Sequence, residues 1–211
     1  MSRKDEAYLY LRDAILSNQL HEDAPISELA ISEQLKMSRT PIREALRELE
    51  SEGLVISYPA RGTFVSPVTP YDVEEVYELR ALLEGWALER SINRISTSDL
   101  EELERQFRVA HQASDWVLFH EADRTLHQTI VSKAGSKRLQ DFANVLNLQV
   151  ERIRRISAQD INRANVSYLE HMEIIRYLKE KDLPRCRDAL RQHLKSVSNS
   201  AVEVAKYMKN L

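Results

Sequence analysis

Apolar residues recur along the chain at helical spacing in several separate runs, and the polar interruptions between the runs divide it into elements. Tyr8, Leu11 and Ile15 lie on one helical face, which predicts a helix over Glu6–Ser17. His21-Glu22-Asp23-Ala24-Pro25 breaks it, and Ser27 then suits the N-cap of a short helix running to Leu35. Ser38 or Thr40 caps a third helix, with Pro41 tolerated in its first turn and Gly53 ending it. Leu54–Tyr58 and Thr63–Ser66 read as short strands around the turn Pro59-Ala60-Arg61-Gly62. Three helices followed by a small hairpin outline a winged helix-turn-helix.

Ser66-Pro67-Val68-Thr69-Pro70 reads as a linker, because two prolines interrupt any regular element. Beyond it only long amphipathic segments appear: Tyr71–Arg94, Ser98–Ala113, Asp115–Ala134, Ser136–Ser157, Asn162–Lys181 and Leu183–Lys209. These predict an antiparallel helical bundle. The expected architecture is therefore mainly α. The winged helix-turn-helix is expected over residues 1–67 and the helical bundle over residues 68–211.

Composition agrees with this outline and removes some classes of function. The 211 residues include only 4 Gly and 6 Pro, and 30% of them are charged. The formal net charge of −3 gives no bulk signal for nucleic acid, so any such reading rests on where charges sit. The single cysteine, Cys186, has no internal disulfide partner. No signal-peptide core and no apolar run of membrane-spanning length occur, so a cytoplasmic protein with no membrane contact is expected.

On the third helix Ile42, Ala45, Leu46 and Leu49 form the core-facing stripe. Arg39, Arg43 and Arg47, spaced by four, make a separate stripe with Thr40 beside it, while Glu44 and Glu48 fall elsewhere. The first segment carries 8 Lys/Arg against 11 Asp/Glu, yet three arginines share one face. Arginines on the N-terminal half of a helix can reach guanine edges or phosphates in the major groove. A solvated helix with charges at i, i+4 would show similar spacing. The order of helices and hairpin around it favours DNA, and Gly62 at the hairpin tip would allow close backbone approach to a groove.

The stretch MSRTPIREALRELESEGLV followed by PARGTFV resembles the helix-turn-helix signature of GntR-type regulators, and the resemblance covers the whole first segment. It implies that Arg39, Thr40, Arg43 and Gly62 contact DNA, with Arg47 as an addition. Two positions depart from the pattern. Leu29 stands where some members place a DNA-facing arginine, and Lys36 replaces the usual glycine before the recognition helix.

The second domain carries polar residues inside its apolar stripes. Asp123 sits among Trp116, Phe119, Leu126 and Ile130, with His127 one turn on. His171 lies among Ala164, Tyr168, Ile174, Ile175 and Leu178, and His193 among Cys186, Ala189, Leu190 and Val197. Burying such groups unpaired is costly, so they need partners. Asp182-Leu183-Pro184 reads as a helical hairpin bend, and His171 and His193 are equally far from Asp182, which would set them level. One carboxylate and three imidazoles suit a divalent transition metal such as Zn, Ni or Mn. The plainer alternative is four separate hydrogen-bonded core residues. His120 is a reserve ligand, Cys186 a buried small residue, and Trp86 and Trp116 core anchors. Arg80 is centred among Val73, Val76, Tyr77, Leu83 and Ala87. It either pairs with Glu84 or Asp123, or grips the carboxylate of an effector through its bidentate fork.

The runs ELRALLEGWALE, ADRTLHQTIVSKAGSKRL and EHMEIIRYLKEKDLPRCRDALRQHL resemble the FCD ligand-binding domain of the FadR subfamily, over nearly all of the second domain. That resemblance implies a metal held by Asp123, His127, His171 and His193, and a small carboxylate bound beside it. Leu126, Gly85 and Ser136 depart from frequent family residues and blur which acid would bind.

Three functions compete at this level. A metabolite-responsive regulator, read as a repressor, would bind a palindromic operator as a homodimer and respond to a small carboxylate. A metal-dependent, hydrolase-like enzyme with a DNA-binding tether needs further catalytic groups, and none stands at suitable spacing. A regulator whose metal is purely structural needs no effector.

Overall fold

The computed structural model describes residues 1–157 and 161–208. Two compact units emerge: Met1–Thr69 with Leu148–Ile156, and Pro70–Asn147 with Ser157–Leu211.

In the first unit α1 spans Arg3–Leu16, α2 Glu28–Leu35 and α3 Arg39–Ser51, followed by β1 Val55–Tyr58 and β2 Gly62–Val65. Helix α1 begins earlier than its apolar stripe suggests, because Ser2 and Asp5 form a reciprocal capping box. Ser27 caps α2 through the Ala30 amide. Lys36 ends α2 in the left-handed region at φ 50°, which explains why a glycine is usual there. The strands pair antiparallel in the register Val55↔Val65 to Tyr58↔Gly62. Ala60 and Gly62 make the turn with φ of 61° and 99°. Pro25 adds a bridge to Phe64. Leu11, Ile31, Ile42, Leu46, Leu49, Leu54 and Val65 form the core of this unit. The second half of α7 completes it. Leu148 packs on that core, Gln149 Nε2 donates to the Glu52 carbonyl, and Arg152 to the Ser66 carbonyl.

The second unit contains α4 (Pro70–Ser91), α5 (Thr97–Ala113), α6 (Trp116–Lys133), α7 (Lys137–Ser157, shared with the first unit), α8 (Ile161–Glu180) and α9 (Leu183–Met208). The end expected at Lys209 lies outside the described residues. Five of the helices pack in a ring: α4 on α6, α6 on α5, α5 on α8, α8 on α9 and α9 back on α4. Asp115 caps α6 through the amides of Val117 and Leu118, and Ser96 caps α5 through the Asp99 amide. Lys181 closes the α8–α9 bend, donating from Nζ to the Ile92 and Ile95 carbonyls at 2.7 and 2.8 Å. The ring interior is apolar except where α4, α6, α8 and α9 each point polar groups inward.

One sequence expectation fails here. Trp86 is not a core anchor: it lies on the outer face of α4 with the Arg90 guanidinium 3.6 Å from its ring centroid. Trp116 is half-buried against Phe119. No helix among the described residues is long and apolar enough to cross a membrane.

Candidate metal centre and nucleic-acid interface

The stripe logic places four polar side chains inside the ring. Helix α6 supplies Asp123 and His127, α8 His171 and α9 His193, all buried. One ligand-type atom from each lies within 4.8 Å of all the others. The three Nε2 atoms stand 2.9 Å (His171), 3.6 Å (His127) and 4.0 Å (His193) from Asp123 Oδ1. The rings of His171 and His193 are 4.3 Å apart across the α8–α9 hairpin.

Proximity here is not hydrogen bonding. The Nε2 atoms of His127 and His171 are buried, close to a carboxylate oxygen, and make no hydrogen bond of acceptable geometry. Buried nitrogens left unsatisfied cost about 1–3 kcal/mol each, so the arrangement calls for something between them. Atoms aimed at a shared point, with imidazole and carboxylate donors, fit a divalent transition metal.

Two of the three outer nitrogens are partnered. His127 Nδ1–H donates to Glu84 Oε2 at 2.5 Å, and His193 Nδ1–H to Glu170 Oε2 at 2.8 Å. An ionised carboxylate only accepts, so these bonds put the proton on Nδ1 and leave Nε2 as the free lone pair. Among the described residues His171 Nδ1 has no hydrogen-bond partner, and its ring stacks on Phe107 at 4.5 Å. Burial, followed by the charge of His171, pushes His193 down to about 3. Burial also lowers His171. For His127, burial and Arg80 favour the neutral ring, but Glu84 and Asp123 outweigh them and raise it. Burial works against ionisation of Glu84, yet Arg80 and then His127 hold it down at about 2.

Arg80 is paired: its buried Nε donates to Glu84 Oε1 at 2.6 Å. The electrostatic influence of Asp123 on it is smaller than that of Glu84. Beside Arg80, Glu84 and His127 lies a cavity of about 10 Å³, closed by Val131, Ala143, Leu146 and Asn147, with room for roughly one water. Cys186 is buried with its thiol pushed up by burial to about 12, and it is not one of the four converging groups. His120 is half-buried with its ring edge-on to Phe119 and also lies outside that group. Glu170 escaped the sequence reading, since it neighbours His171 in the chain but serves His193.

In the first unit Arg39, Thr40, Arg43 and Arg47 are exposed on α3, opposite its buried stripe Ile42, Ala45, Leu46 and Leu49. Ser38 occupies the N-cap of α3 without a side-chain capping bond. Arg43 Nε donates to Glu28 Oε2 at 2.8 Å. Gly62, exposed at the hairpin tip, has nothing within 4 Å of where a Cβ would stand. Leu29, at the position of departure on α2, is 51% exposed, so it sits on the surface and not in the core.

Comparison with known proteins matches both units. Residues 3–65 match the family of bacterial regulatory proteins, gntR family, and residues 75–196 the FCD domain. An uncharacterized HTH-type transcriptional regulator in an unstable DNA locus of Streptomyces ambofaciens is 29% identical over 93% of this chain and 84% of its own. The HTH-type transcriptional repressor RspR of Escherichia coli K12 is 27% identical over 94% and 89%. A crystallised Rhodococcus sp. RHA1 protein described as a GntR transcriptional regulator superposes with a TM-score of 0.80 at 22% identity, covering 96% of this chain and 99% of that one. With an Arg-striped helix-turn-helix ahead of a helical ring that gathers one aspartate and three histidines, the chain belongs to the GntR family and is a DNA-binding transcriptional regulator with an FCD domain.

Proposed function

We propose that this regulator is a metal-dependent, metabolite-responsive repressor. In this reading Asp123, His127, His171 and His193 hold a divalent transition metal of the Zn, Ni or Mn type. The observation that carries it is the convergence of three Nε2 atoms on Asp123 Oδ1, two of them buried without a hydrogen bond. The metal supplies a Lewis-acidic positive centre, and a small carboxylate effector binds beside it. Arg80 lies next to that centre; with its Nε committed to Glu84, its terminal Nη pair remains for the effector carboxylate.

Arg39, Thr40, Arg43, Arg47 and Gly62 form the operator-reading surface, each exposed and outside the core stripe. The protein acts as a homodimer on a palindromic site. An exposed apolar strip on α4, Leu79, Leu82 and Trp86, supports this, since such strips on soluble proteins commonly mark protein contacts. The repressor name of the E. coli relative favours repression. The effector acts through its differential affinity for two arrangements of the dimer.

A thermal-shift screen of small carboxylates on zinc-loaded protein tests this, because a ligand of the folded state raises its stability. At least one acid should raise the melting temperature only when metal is present, and should release operator DNA. Metal-dependent stability with no response to any acid would instead mark the metal as structural.

A further inference from the structure

Two carboxylates stand behind the centre, and each is held by an arginine. On one side Arg80 Nε binds Glu84 Oε1 at 2.6 Å, and Glu84 Oε2 accepts from His127. On the other, Arg163 Nη1 and Nη2 fork onto Glu170 at 3.2 and 2.5 Å, and Glu170 Oε2 accepts from His193. Arg163 is steadied further by Ser196 Oγ at 2.9 Å. The same Arg–Glu–His order is thus built twice from different helices, once from α4 to α6 and once from α8 to α9. Glu170 and His171 are consecutive, so one turn of α8 supplies both one of the converging imidazoles and the carboxylate behind another.

We propose that Glu84 and Glu170 are positioning residues for His127 and His193, and that Arg80 and Arg163 cancel the charge these carboxylates bring. The inference rests on the metal reading above. A carboxylate on Nδ1 fixes the tautomer and the ring plane, so that Nε2 presents its lone pair to the centre. It also brings negative charge. With the three rings neutral, as metal ligation requires, Asp123, Glu84 and Glu170 against Arg80 and Arg163 leave one net negative charge. A divalent ion turns that into one net positive charge, the right sign for a single carboxylate ligand. Without the two arginines the loaded centre would be negative and would repel it. Arg163 therefore acts on anion binding through charge, from bonds that run to Glu170 and Ser196.

The test uses full-length protein stripped of metal and titrated with Zn²⁺ or Co²⁺ against a chromophoric chelator. Glu84→Gln and Glu170→Gln should each weaken metal binding by about 10- to 100-fold. The Co²⁺ visible absorption should shift as well, which a purely structural role would not cause. Arg163→Gln should hold Zn²⁺ within a few-fold of wild type but bind acetate several-fold more weakly in the loaded form. If Glu84→Gln fails to fold, the more exposed Glu170→Gln carries the test. Wild-type Zn²⁺ affinity and an unchanged Co²⁺ spectrum in Glu170→Gln would overturn the inference and leave the metal reading intact. A wild-type protein that takes up no metal would overturn both.

Discussion

Arg43 on α3 is tied to Glu28 on α2: its Nε donates to Glu28 Oε2 at 2.8 Å, while the arginine side chain stays 59% exposed. The bond engages one edge of the guanidinium and aims the rest outward from the proposed reading face. Exposed ion pairs of this kind contribute about 0–1 kcal/mol to stability. A base-edge contact contributes roughly 1–3 kcal/mol to DNA discrimination. Arg43→Ala should therefore weaken operator binding by about tenfold or more, measured by fluorescence anisotropy, and barely move the melting temperature. Retention of specific binding would sink the reading face.

His171→Ala removes the proposed ligand whose Nε2 stands nearest Asp123 Oδ1, at 2.9 Å. Its melting temperature without metal will fall in any case, because the ring is fully buried and stacked on Phe107. The informative quantity is the gain on adding metal. For wild type at 100-fold excess over Kd that gain is about 2.7 kcal/mol. In the variant it should vanish, and elemental analysis should find the chain depleted of metal. Full metal content would refute the site.

Arg80 is both the partner of Glu84 and the proposed effector contact, and the two roles separate by substitution. Arg80→Met leaves a buried carboxylate without its cation, a break that costs roughly 3–5 kcal/mol. Arg80→Lys keeps the charge but loses the planar fork. The lysine variant should fold and bind metal, yet release operator poorly when effector is added. Normal release, with unchanged effector affinity, would leave Arg80 a structural role only.

Tyr8 donates to both carboxylate oxygens of Glu52 at 3.0 and 2.9 Å. Partial burial, followed by the Glu52 hydrogen bond, pushes the phenol up to about 12. An unfolded chain loses that proton near pH 10, so between about pH 10 and 12 the folded state binds more protons. Stability from this group is therefore present below pH 10 and is lost as pH rises through that window. Tyr8→Phe should cost about 1 kcal/mol near neutrality and flatten the alkaline decline relative to wild type. An identical decline in chemical denaturation series would exclude the contribution.

Much of the fold was legible in the chain because apolar stripes at helical spacing mark helices whatever packs on them. The ends were less so. Helix α1 starts at Arg3 because Ser2 and Asp5 cap each other, a signal that lies before its first apolar residue. Trp86 was misplaced because α4 is apolar on two faces, and periodicity alone does not say which face meets the bundle.

The candidate site divides in the same way. That Asp123, His127, His171 and His193 each turn inward and need a partner is legible in the sequence, since polar groups inside apolar stripes are costly to bury unpaired; that they meet one another is decided by the packing. The level placement of His171 and His193 follows from their equal distance to the bend at Asp182. A helical repeat fixes only the direction of a side chain around its own axis. Which nitrogen faces the centre, and what holds the other, depends on the spacing and register between helices. Packing of α8 on α9 turns Glu170, the chain neighbour of His171, into the carboxylate behind His193. Packing of α4 on α6 commits Arg80 to Glu84 and Glu84 to His127. The sequence determined which polar groups face the interior, and the tertiary structure decided that they meet and how each is aimed.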